Sequence, residues 1–397
     1  MFEFAYMKHL FVAMIRPKLI IVFLITLFLC GCDAISSVKE GENYMCILKF
    51  PMDAEGIYET TDTYMSYSGS GVSVTIVQPE ESFSLWIEDL AGDSLNGNWI
   101  HIIVGDTLHS RIKLKQGKNL YPIFVKDNVD ELITFVKVTE PHVGEVRLYG
   151  LELSEMVIPK PVVTSHAMRI LFIGNSITCG YGNMISIPAP PEGNPLTGFH
   201  TENENAYQSY AMQTARKLQA SPTLVSFSGK GMYRNFNSDT IETMPKIFDR
   251  MHLQKKDSKT WSDSYVSQDI IVINLGTNDY FGESQNQPLN DSVFVQTYIH
   301  FIEHLLNQYA FSKAKIICVN SPMLNDAWPA GKMCWTRLQT SIQKVQEHFQ
   351  AKGNTQIYRF SFAPQSAPFG EDYHPSLTTH TKMASELTTF IQTVVNK

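Results

Sequence analysis

The stretch FIGNSITCGYG, from Phe172 to Gly182, joins a run of apolar residues directly to a serine, Ser176, that stands among polar residues and glycines. The apolar part begins at Met168 and has the length and composition of a buried strand. A strand of this kind in a parallel sheet ends at a crevice where ligands bind. Ser176 therefore has two interpretations, a helix cap or a nucleophile at the edge of a site.

Beyond this strand, the chain repeats a pattern of apolar strand, loop and amphipathic helix. Strands that alternate with helices pair in parallel, because each helix crosses back over the sheet to the next strand. We therefore predict a three-layer α/β domain over residues 167–397, with a flavodoxin-like sheet of five parallel strands. The predicted strands lie at 168–174, 222–229, 269–276, 315–322 and 355–362.

The first half of the chain has strand patterns without a helical period. In GVSVTIV, residues 71–77, valine and isoleucine alternate with serine and threonine, which is typical of a strand with one buried face. Turn pairs such as Asn96-Gly97 separate these strands at short intervals, as in antiparallel sheets. We predict a jelly-roll-like all-β sandwich over residues 40–155.

A segment with two prolines separates the two halves. Pro159 and Pro161 favour an interruption here, because proline prevents a sheet or a helix from running through. We predict a linker over residues 156–166.

The first 32 residues have the pattern of an export signal. Arg16 and Lys18 precede an apolar run that is too short to span a bilayer comfortably. The run ends in Leu29-x-Gly31-Cys32, which resembles the bacterial lipobox, in which the last cysteine becomes lipidated. We predict a lipoprotein signal over residues 1–32 and a chain that is exported and held at the bacterial cell envelope by a lipid on Cys32.

Two alternatives remain open for this segment. The apolar run is also compatible with a short membrane anchor that stays attached. The pattern of a signal is complete from Met14 onward, so the true start is Met1, Met7 or Met14. In the leading interpretation, the protein meets the membrane only through its N-terminal lipid.

The composition excludes several classes of partner and cofactor. The net charge is −7 and the isoelectric point is near 6.0, so the clustered positive field of a nucleic-acid-binding protein is missing. The cysteines after residue 32 are scattered without C-x-x-C spacing, and the sequence contains neither H-E-x-x-H nor a P-loop. We predict no nucleic-acid partner, no metal and no cofactor.

The predicted strand ends carry the parts that acyl transfer needs. Ser176 is a candidate nucleophile, and His374 is a candidate base, because a hydroxyl at its ordinary pKa is a poor nucleophile. The N–H groups of Ser176 and Gly229 and the side-chain amide of Asn278 are candidate donors to the oxyanion of the tetrahedral intermediate. Each residue alone is equally explained as a cap or a turn. The interpretation depends on their meeting at one crevice.

These four residues lie in GNSIT, SGKG, GTND and DYHP, which resemble the four blocks of the SGNH or GDSL-type hydrolases in order and spacing. Further segments are similar to carbohydrate esterase family 2, namely ENAYQSYA and INLGTNDY in the α/β half and YSGSGVSVTI and EVRLYGLEL in the β half. The resemblance covers nearly all of the mature chain. It implies a serine esterase that removes acetyl groups from sugars, particularly from the 6-position, and that needs no cofactor.

Two positions depart from the pattern of that superfamily. Asn175 stands where the first block usually has aspartate, and we expect little consequence because the serine is retained. In the last block, Glu371 stands where an aspartate usually orients the histidine, and Asp372 follows it. Three interpretations stay open, since Glu371, Asp372 or a backbone carbonyl can orient His374, and the last would leave a Ser–His dyad.

Three further residues are candidate substrate contacts. Tyr373 stands where the esterase family carries an aromatic residue, and it either stacks on a sugar face or packs against its own loop. Arg234 follows the predicted oxyanion loop, where it either contacts substrate or is a solvated charge. Asp279 follows Asn278 and either contacts substrate or holds that loop in place.

The sequence thus predicts an exported carbohydrate esterase that removes O-acetyl groups from plant-type glycans such as xylan, mannan or 6-O-acetyl sugars. One alternative is an SGNH esterase, lipase or thioesterase that acts on esters other than sugar esters. The other is a non-catalytic surface lipoprotein that binds glycans. The presence of Ser176, Asn278 and His374 argues against the second alternative.

Overall fold

The computed structural model describes residues 35–40, 43–48, 54–55, 63–77, 82–91, 96–124, 131–153, 158–160, 167–261 and 266–396. The predicted signal segment and Cys32 lie outside these residues. Within them, every helix is too short or too polar to cross a membrane.

The N-terminal domain contains two antiparallel sheets. One has the order β1-β2-β11-β6-β9 with β4 also paired to β11, and the other has the order β12-β5-β10-β7-β8 with β3 also paired to β5. Their strands are β1 (Ile35–Glu40), β2 (Asn43–Leu48), β3 (Ala54–Glu55), β4 (Thr63–Met65), β5 (Gly71–Val77), β6 (Ser82–Asp89), β7 (Trp99–Val104), β8 (Thr107–Lys113), β9 (Gly117–Phe124), β10 (Glu131–Lys137), β11 (Val146–Leu153) and β12 (Ile158–Lys160).

One apolar cluster fills the space between the two sheets. Leu85 and Ile87 of β6 enter it from one sheet, and Ile102 of β7 and Phe135 of β10 enter it from the other. All four are almost completely buried, as the alternating pattern of these strands predicts. The antiparallel character of this domain is confirmed, and its jelly-roll-like connectivity stays a prediction.

The limits of the β-domain differ from those predicted at both ends. Ile158–Lys160, within the predicted linker, forms β12 at the end of its sheet, where Pro159 lies opposite Ile76 of β5. Proline fits there because an edge strand leaves one row of N–H groups unpaired. At the other end, β1 begins at Ile35, ahead of the predicted start at residue 40. Proline and turn residues mark chain breaks, but pairing with distant strands decides which segments join a sheet.

The second domain is built on a five-stranded parallel sheet, as predicted. Its order, β14-β13-β15-β16-β17, is the flavodoxin-like order 2-1-3-4-5. The strands are β13 (Arg169–Gly174), β14 (Ser221–Ser226), β15 (Ile270–Asn274), β16 (Lys315–Asn320) and β17 (Ile357–Ser361). The helices are α1 (Ser176–Cys179), α2 (Tyr210–Lys217), α3 (Met244–Ile247), α4 (Thr277–Phe281), α5 (Asp291–Asn307), α6 (Cys334–Ala351) and α7 (Leu377–Val395).

Helices cover both faces of this sheet and make three layers. Side chains of α5 and α6, such as Tyr298 and Leu338, pack with Ile273 on one face. Side chains of α2 and α7, such as Tyr210 and Leu387, pack on the other. Because both faces are covered, the strand ends are the part of the sheet that is left to form a site.

Polar contacts join the two domains. The carboxylate of Glu145, just before β11, lies 2.6 Å from His252 Nδ1 and accepts from Lys255 Nζ at 2.8 Å. Tyr67 of the β-domain is buried in the core of the α/β domain, and its hydroxyl donates to the carbonyl of Arg250. The β-domain is therefore packed directly against the domain that carries the candidate site.

Candidate active site

Ser176 is the first residue of α1, directly after β13. The cap of this helix is Asn175, whose side-chain oxygen accepts from the N–H of Ile177 at 3.1 Å. The turn requires Gly174, because a Cβ at that position would lie 2.0 Å from Thr178 Oγ1. The capping role therefore belongs to Asn175, and the hydroxyl of Ser176 is left for another partner.

That partner is the imidazole of His374, whose Nε2 lies 2.8 Å from Ser176 Oγ. The other ring nitrogen, Nδ1, lies 2.9 Å from the backbone carbonyl of Glu371. A carbonyl oxygen only accepts, so Nδ1 carries the proton and Nε2 is free to accept from the serine hydroxyl. The pair has the geometry of a nucleophile and its general base.

The environment of His374 keeps the ring neutral. Burial lowers the pKa of His374 below its ordinary value, although the hydrogen bond to the Glu371 carbonyl and the charge of Asp372 partly oppose it. A neutral imidazole accepts a proton and an imidazolium does not, so the lowered pKa widens the pH range in which His374 acts as a base.

Neither carboxylate predicted as the third member contacts the imidazole, within the described residues. The buried carboxylate of Glu371 accepts from His200 Nδ1 at 2.6 Å and from Asn203 Nδ2 at 2.7 Å. That of Asp372 accepts from the hydroxyl of Tyr181 at 2.7 Å and from the N–H of Gly198 at 3.0 Å. The cause is the backbone, since Asp372 has a φ of 49° and the resulting turn presents a carbonyl to the ring. The arrangement is a dyad.

The candidate oxyanion donors lie at three neighbouring strand ends. The N–H groups of Ser176 and Gly229 have no acceptor among the described residues. Gly229 has a φ of 77°, which a residue with a Cβ adopts only with strain. The Nδ2 of Asn278 donates one hydrogen to the carbonyl of Lys230 at 2.8 Å and keeps a second hydrogen for a ligand.

Arg234 and Asp279 hold the oxyanion loop through hydrogen bonds, and their role as substrate contacts stays a prediction. The carboxylate of Asp279 is completely buried and accepts from the N–H groups of Met232, Tyr233 and Arg234 at 2.6 to 2.9 Å. The side chain of Arg234 is buried as well, and its Nε donates to the carbonyl of Asp279 at 2.7 Å. The alternative interpretation of Asp279, a residue that holds the loop, describes the geometry.

Two aromatic residues stand beside the dyad. Tyr373 is partly buried and its ring lies 5.2 Å from that of Phe369, which matches packing against its own loop. Tyr181 stacks on the imidazole of His374, with ring centroids 4.1 Å apart and an angle of 25°. Sequence reasoning missed Tyr181, although its position in the opening CGYG segment was a usable signal.

A buried polar cluster lies under the site, between the domains. Oxygen and sulfur atoms of Glu140, Cys179 and Glu204 lie within 4.8 Å of one another, a spacing that a metal ion would accept. Burial raises the pKa of the Cys179 thiol well above its ordinary value, and burial and the neighbouring Glu140 do the same to Glu204. The fully buried Lys137 supplies positive charge here. These groups fit a hydrogen-bonded cluster better than a metal centre, which needs a thiolate.

Comparison with known proteins decides the family. The sequence model of the GDSL-like lipase/acylhydrolase family matches residues 170–387, more than half of the chain. The chain belongs to this family. The predicted membership is confirmed, and the match takes in Ser176, Gly229, Asn278 and His374.

Within the GDSL-like family, the chain is similar to carbohydrate esterases. It is 30% identical over 336 residues to the cellulase/esterase CelE of Acetivibrio thermocellus, across 83% of this chain and 36% of that protein. It is 25% identical over 340 residues to an acetylxylan esterase / glucomannan deacetylase of Cellvibrio japonicus, across 84% of this chain and 86% of that protein. The chain thus spans little more than a third of the first relative and most of the second.

The fold of this GDSL-like protein also has a solved counterpart. A family two carbohydrate esterase from Clostridium thermocellum, in complex with cellohexaose, matches with a TM-score of 0.75 and 25% identity. The match covers 87% of this chain and 99% of that chain. It therefore extends over both domains.

The dyad geometry predicts a small effect for Asp372→Asn. An asparagine oxygen still accepts from the N–H of Gly198 and its amide still pairs with the Tyr181 hydroxyl, so the loop keeps its bonds. We expect kcat for an acetyl ester to fall by about tenfold or less, against about ten-thousand-fold for the same change in a true Ser–His–Asp triad. Steady-state kinetics at pH 7 with an acetyl ester measure this fall in kcat. A loss above a thousandfold would identify Asp372 as a triad member.

Proposed function

We propose that this protein is a serine carbohydrate esterase that removes acetyl groups from glycans. The observation that carries the proposal is the 2.8 Å contact between Ser176 Oγ and His374 Nε2, beside the free N–H group of Gly229. Sugar as the substrate class is supported by the similarity to a cellulase/esterase and to an acetylxylan esterase / glucomannan deacetylase.

The reaction follows from the geometry in two halves. Ser176 Oγ attacks the acetyl carbonyl while His374 Nε2 takes the proton of the serine hydroxyl. The oxyanion that forms accepts hydrogen bonds from the N–H groups of Ser176 and Gly229 and from the side-chain amide of Asn278. The intermediate collapses as the bond from the acetyl carbon to the sugar oxygen breaks, and His374 gives its proton to that departing oxygen, which leaves as a hydroxyl. Water then attacks the acetyl-serine with the same base, releasing acetate and restoring the hydroxyl.

The surface beside the site suits a sugar chain. Phe236 and Trp328 are 48% and 58% exposed, and the ring of Phe281 lies between them, 4.3 Å from that of Phe236 and 6.3 Å from that of Trp328. This ledge starts at the oxyanion loop, since the N–H of Phe236 donates to the carbonyl of Gly229 at 2.8 Å. Flat exposed aromatic rings offer an apolar surface, on which the C–H face of a pyranose ring can pack.

Export and lipid attachment at Cys32 remain part of the proposal. They are supported by the sequence Leu29-x-Gly31-Cys32.

A substrate series tests the proposed class. We expect acetate release from acetylated xylan, acetylated mannan or 6-O-acetyl sugars, and rates on p-nitrophenyl esters that fall as the acyl chain lengthens from acetyl to octanoyl. The physical reason is that the described site offers hydrogen-bond donors and an aromatic ledge for a sugar. Acetate is measured directly, with Ser176→Ala as the blank. Rates that rise with chain length would instead support an esterase of lipids or other non-sugar esters.

Glycan binding without any loss of acetate would support the non-catalytic alternative. Both alternatives are thus separated from the proposal by the same series of assays.

A further inference from the structure

The oxyanion loop, residues 227–236, is held from two sides. On one side Asp279 accepts three of its N–H groups, and Asn278 donates to its carbonyl at Lys230. Both of those residues belong to the same domain as the loop. On the other side, at Ser228, the partner comes from the β-domain.

That partner is Glu140, which lies between β10 and β11. One carboxylate oxygen accepts from the N–H of Ser228 at 2.8 Å, and the other accepts from its hydroxyl at 2.5 Å. Ser228 directly precedes Gly229, so these two bonds hold the residue whose carbonyl forms the peptide group with the candidate oxyanion N–H. Two bonds to one residue fix its orientation as well as its position.

Residues of both domains hold Glu140 in turn. The side chain is completely buried, and a buried carboxylate is stable only when donors surround it. Its own N–H donates to Glu204 at 3.1 Å, and its carbonyl accepts from the ammonium of Lys137 at 3.1 Å. His142 Nδ1 lies 3.2 Å from the carboxylate.

The charge state of Glu140 agrees with this role. Burial raises the pKa of Glu140, but His142 and the two hydrogen bonds from Ser228 outweigh it and hold the pKa below its ordinary value. The carboxylate is therefore ionised and accepts both hydrogens of Ser228.

We propose that Glu140 is a positioning residue, supplied by the β-domain, that aims the Gly229 N–H at the oxyanion through Ser228. The inference deepens the proposed function and rests on it. In this proposal the β-domain contributes to catalysis, because the α/β domain alone would leave Ser228 without the carboxylate acceptor of Glu140. Glu140 itself touches neither the nucleophile nor the base in the described contacts.

The expected effect is on kcat. Removal of one oxyanion donor costs about a hundredfold to a thousandfold in hydrolases, and a donor that is displaced but present costs less. For Glu140→Ala we expect kcat for p-nitrophenyl acetate to fall about tenfold to a hundredfold with KM nearly unchanged. Glu140→Gln keeps an oxygen for the Ser228 N–H and an amide for its hydroxyl, so it is expected to restore most of that loss.

The matched control is Glu145→Ala. Glu145 is also a buried carboxylate that joins the two domains, through His252 and Lys255, but it contacts no described residue of the oxyanion loop. If Glu140 only held the domains together, both alanine variants would lower the melting temperature and neither would change kcat selectively. A selective fall of kcat in Glu140→Ala supports positioning, and equal kcat in the two alanine variants overturns it.

Hydrogen exchange of the full chain gives a readout that does not need activity. In Glu140→Ala, the peptide covering residues 227–235 is expected to exchange faster than in the wild type, and in Glu145→Ala and Glu140→Gln it is not. If the wild type lacks Ser176-dependent esterase activity, the proposed function fails, while the exchange result still decides whether Glu140 orders the loop. Unchanged exchange in Glu140→Ala overturns the inference whatever the activity.

Discussion

Ser176→Ala is expected to lower kcat for acetyl esters by about a hundred-thousandfold or more, the size of loss found when the nucleophile of a serine hydrolase is removed. The reason is that, in the proposed reaction, the hydroxyl 2.8 Å from His374 Nε2 forms the acetyl-enzyme. The fold should be unaffected, since Asn175 and not Ser176 caps α1. Acetate release from an acetylated glycan and p-nitrophenyl acetate hydrolysis both measure the effect.

Ser321→Ala is the matched control for this change. Ser321 follows β16 at the same edge of the sheet and is also buried, but its hydroxyl accepts from the N–H of Met323 at 3.2 Å. We expect this variant to keep nearly full activity. Retention of more than a hundredth of wild-type activity in Ser176→Ala would point to a different nucleophile.

His374→Ala is expected to lower kcat by about ten-thousandfold or more, because the serine loses the base that takes its proton. The pH dependence of kcat/KM in the wild type should also report the ionisation of His374. Since burial lowers the pKa of His374, kcat/KM should rise with pH through a midpoint below the ordinary histidine value of about 6.5. Steady-state rates between pH 4 and 9 measure both results.

The variant should lose this acidic limb, and added imidazole should restore part of the rate by entering the space of the missing ring. His300→Ala, on an exposed position of α5, serves as the control and should keep the wild-type profile. A wild-type midpoint well above 6.5 would contradict a buried, neutral His374.

Much of the site was predictable because its residues follow strands at one edge of a parallel sheet. Ser176, Gly229 and Asn278 each follow a strand that an apolar pattern marks, within a few residues of its end, and the topology then brings them together. The flavodoxin-like strand order and the antiparallel character of the β-domain followed from the same kind of pattern.

The sequence left open whether Glu371, Asp372 or a backbone carbonyl orients His374, because that choice depends on side-chain directions. Glu371 and Asp372 are next to His374 in the sequence, yet their carboxylates point to His200, Asn203, Tyr181 and Gly198. The cause is a left-handed turn at Asp372 and Tyr373, with φ values of 49° and 60°, which residues other than glycine rarely adopt. The identities of Asp372 and Tyr373 do not predict such a turn.

The parallel sheet and the candidate nucleophile and base followed from the sequence, because they depend on local apolar patterns and on short motifs. The tertiary structure alone decided that a backbone carbonyl orients His374 and that Glu140 contacts Ser228, 88 positions away. The physical reason is that a hydrogen bond depends on distance and angle to within fractions of an ångström. The left-handed turn at Asp372 sets those quantities for His374, and the packing of the two domains sets them for Glu140 and Ser228.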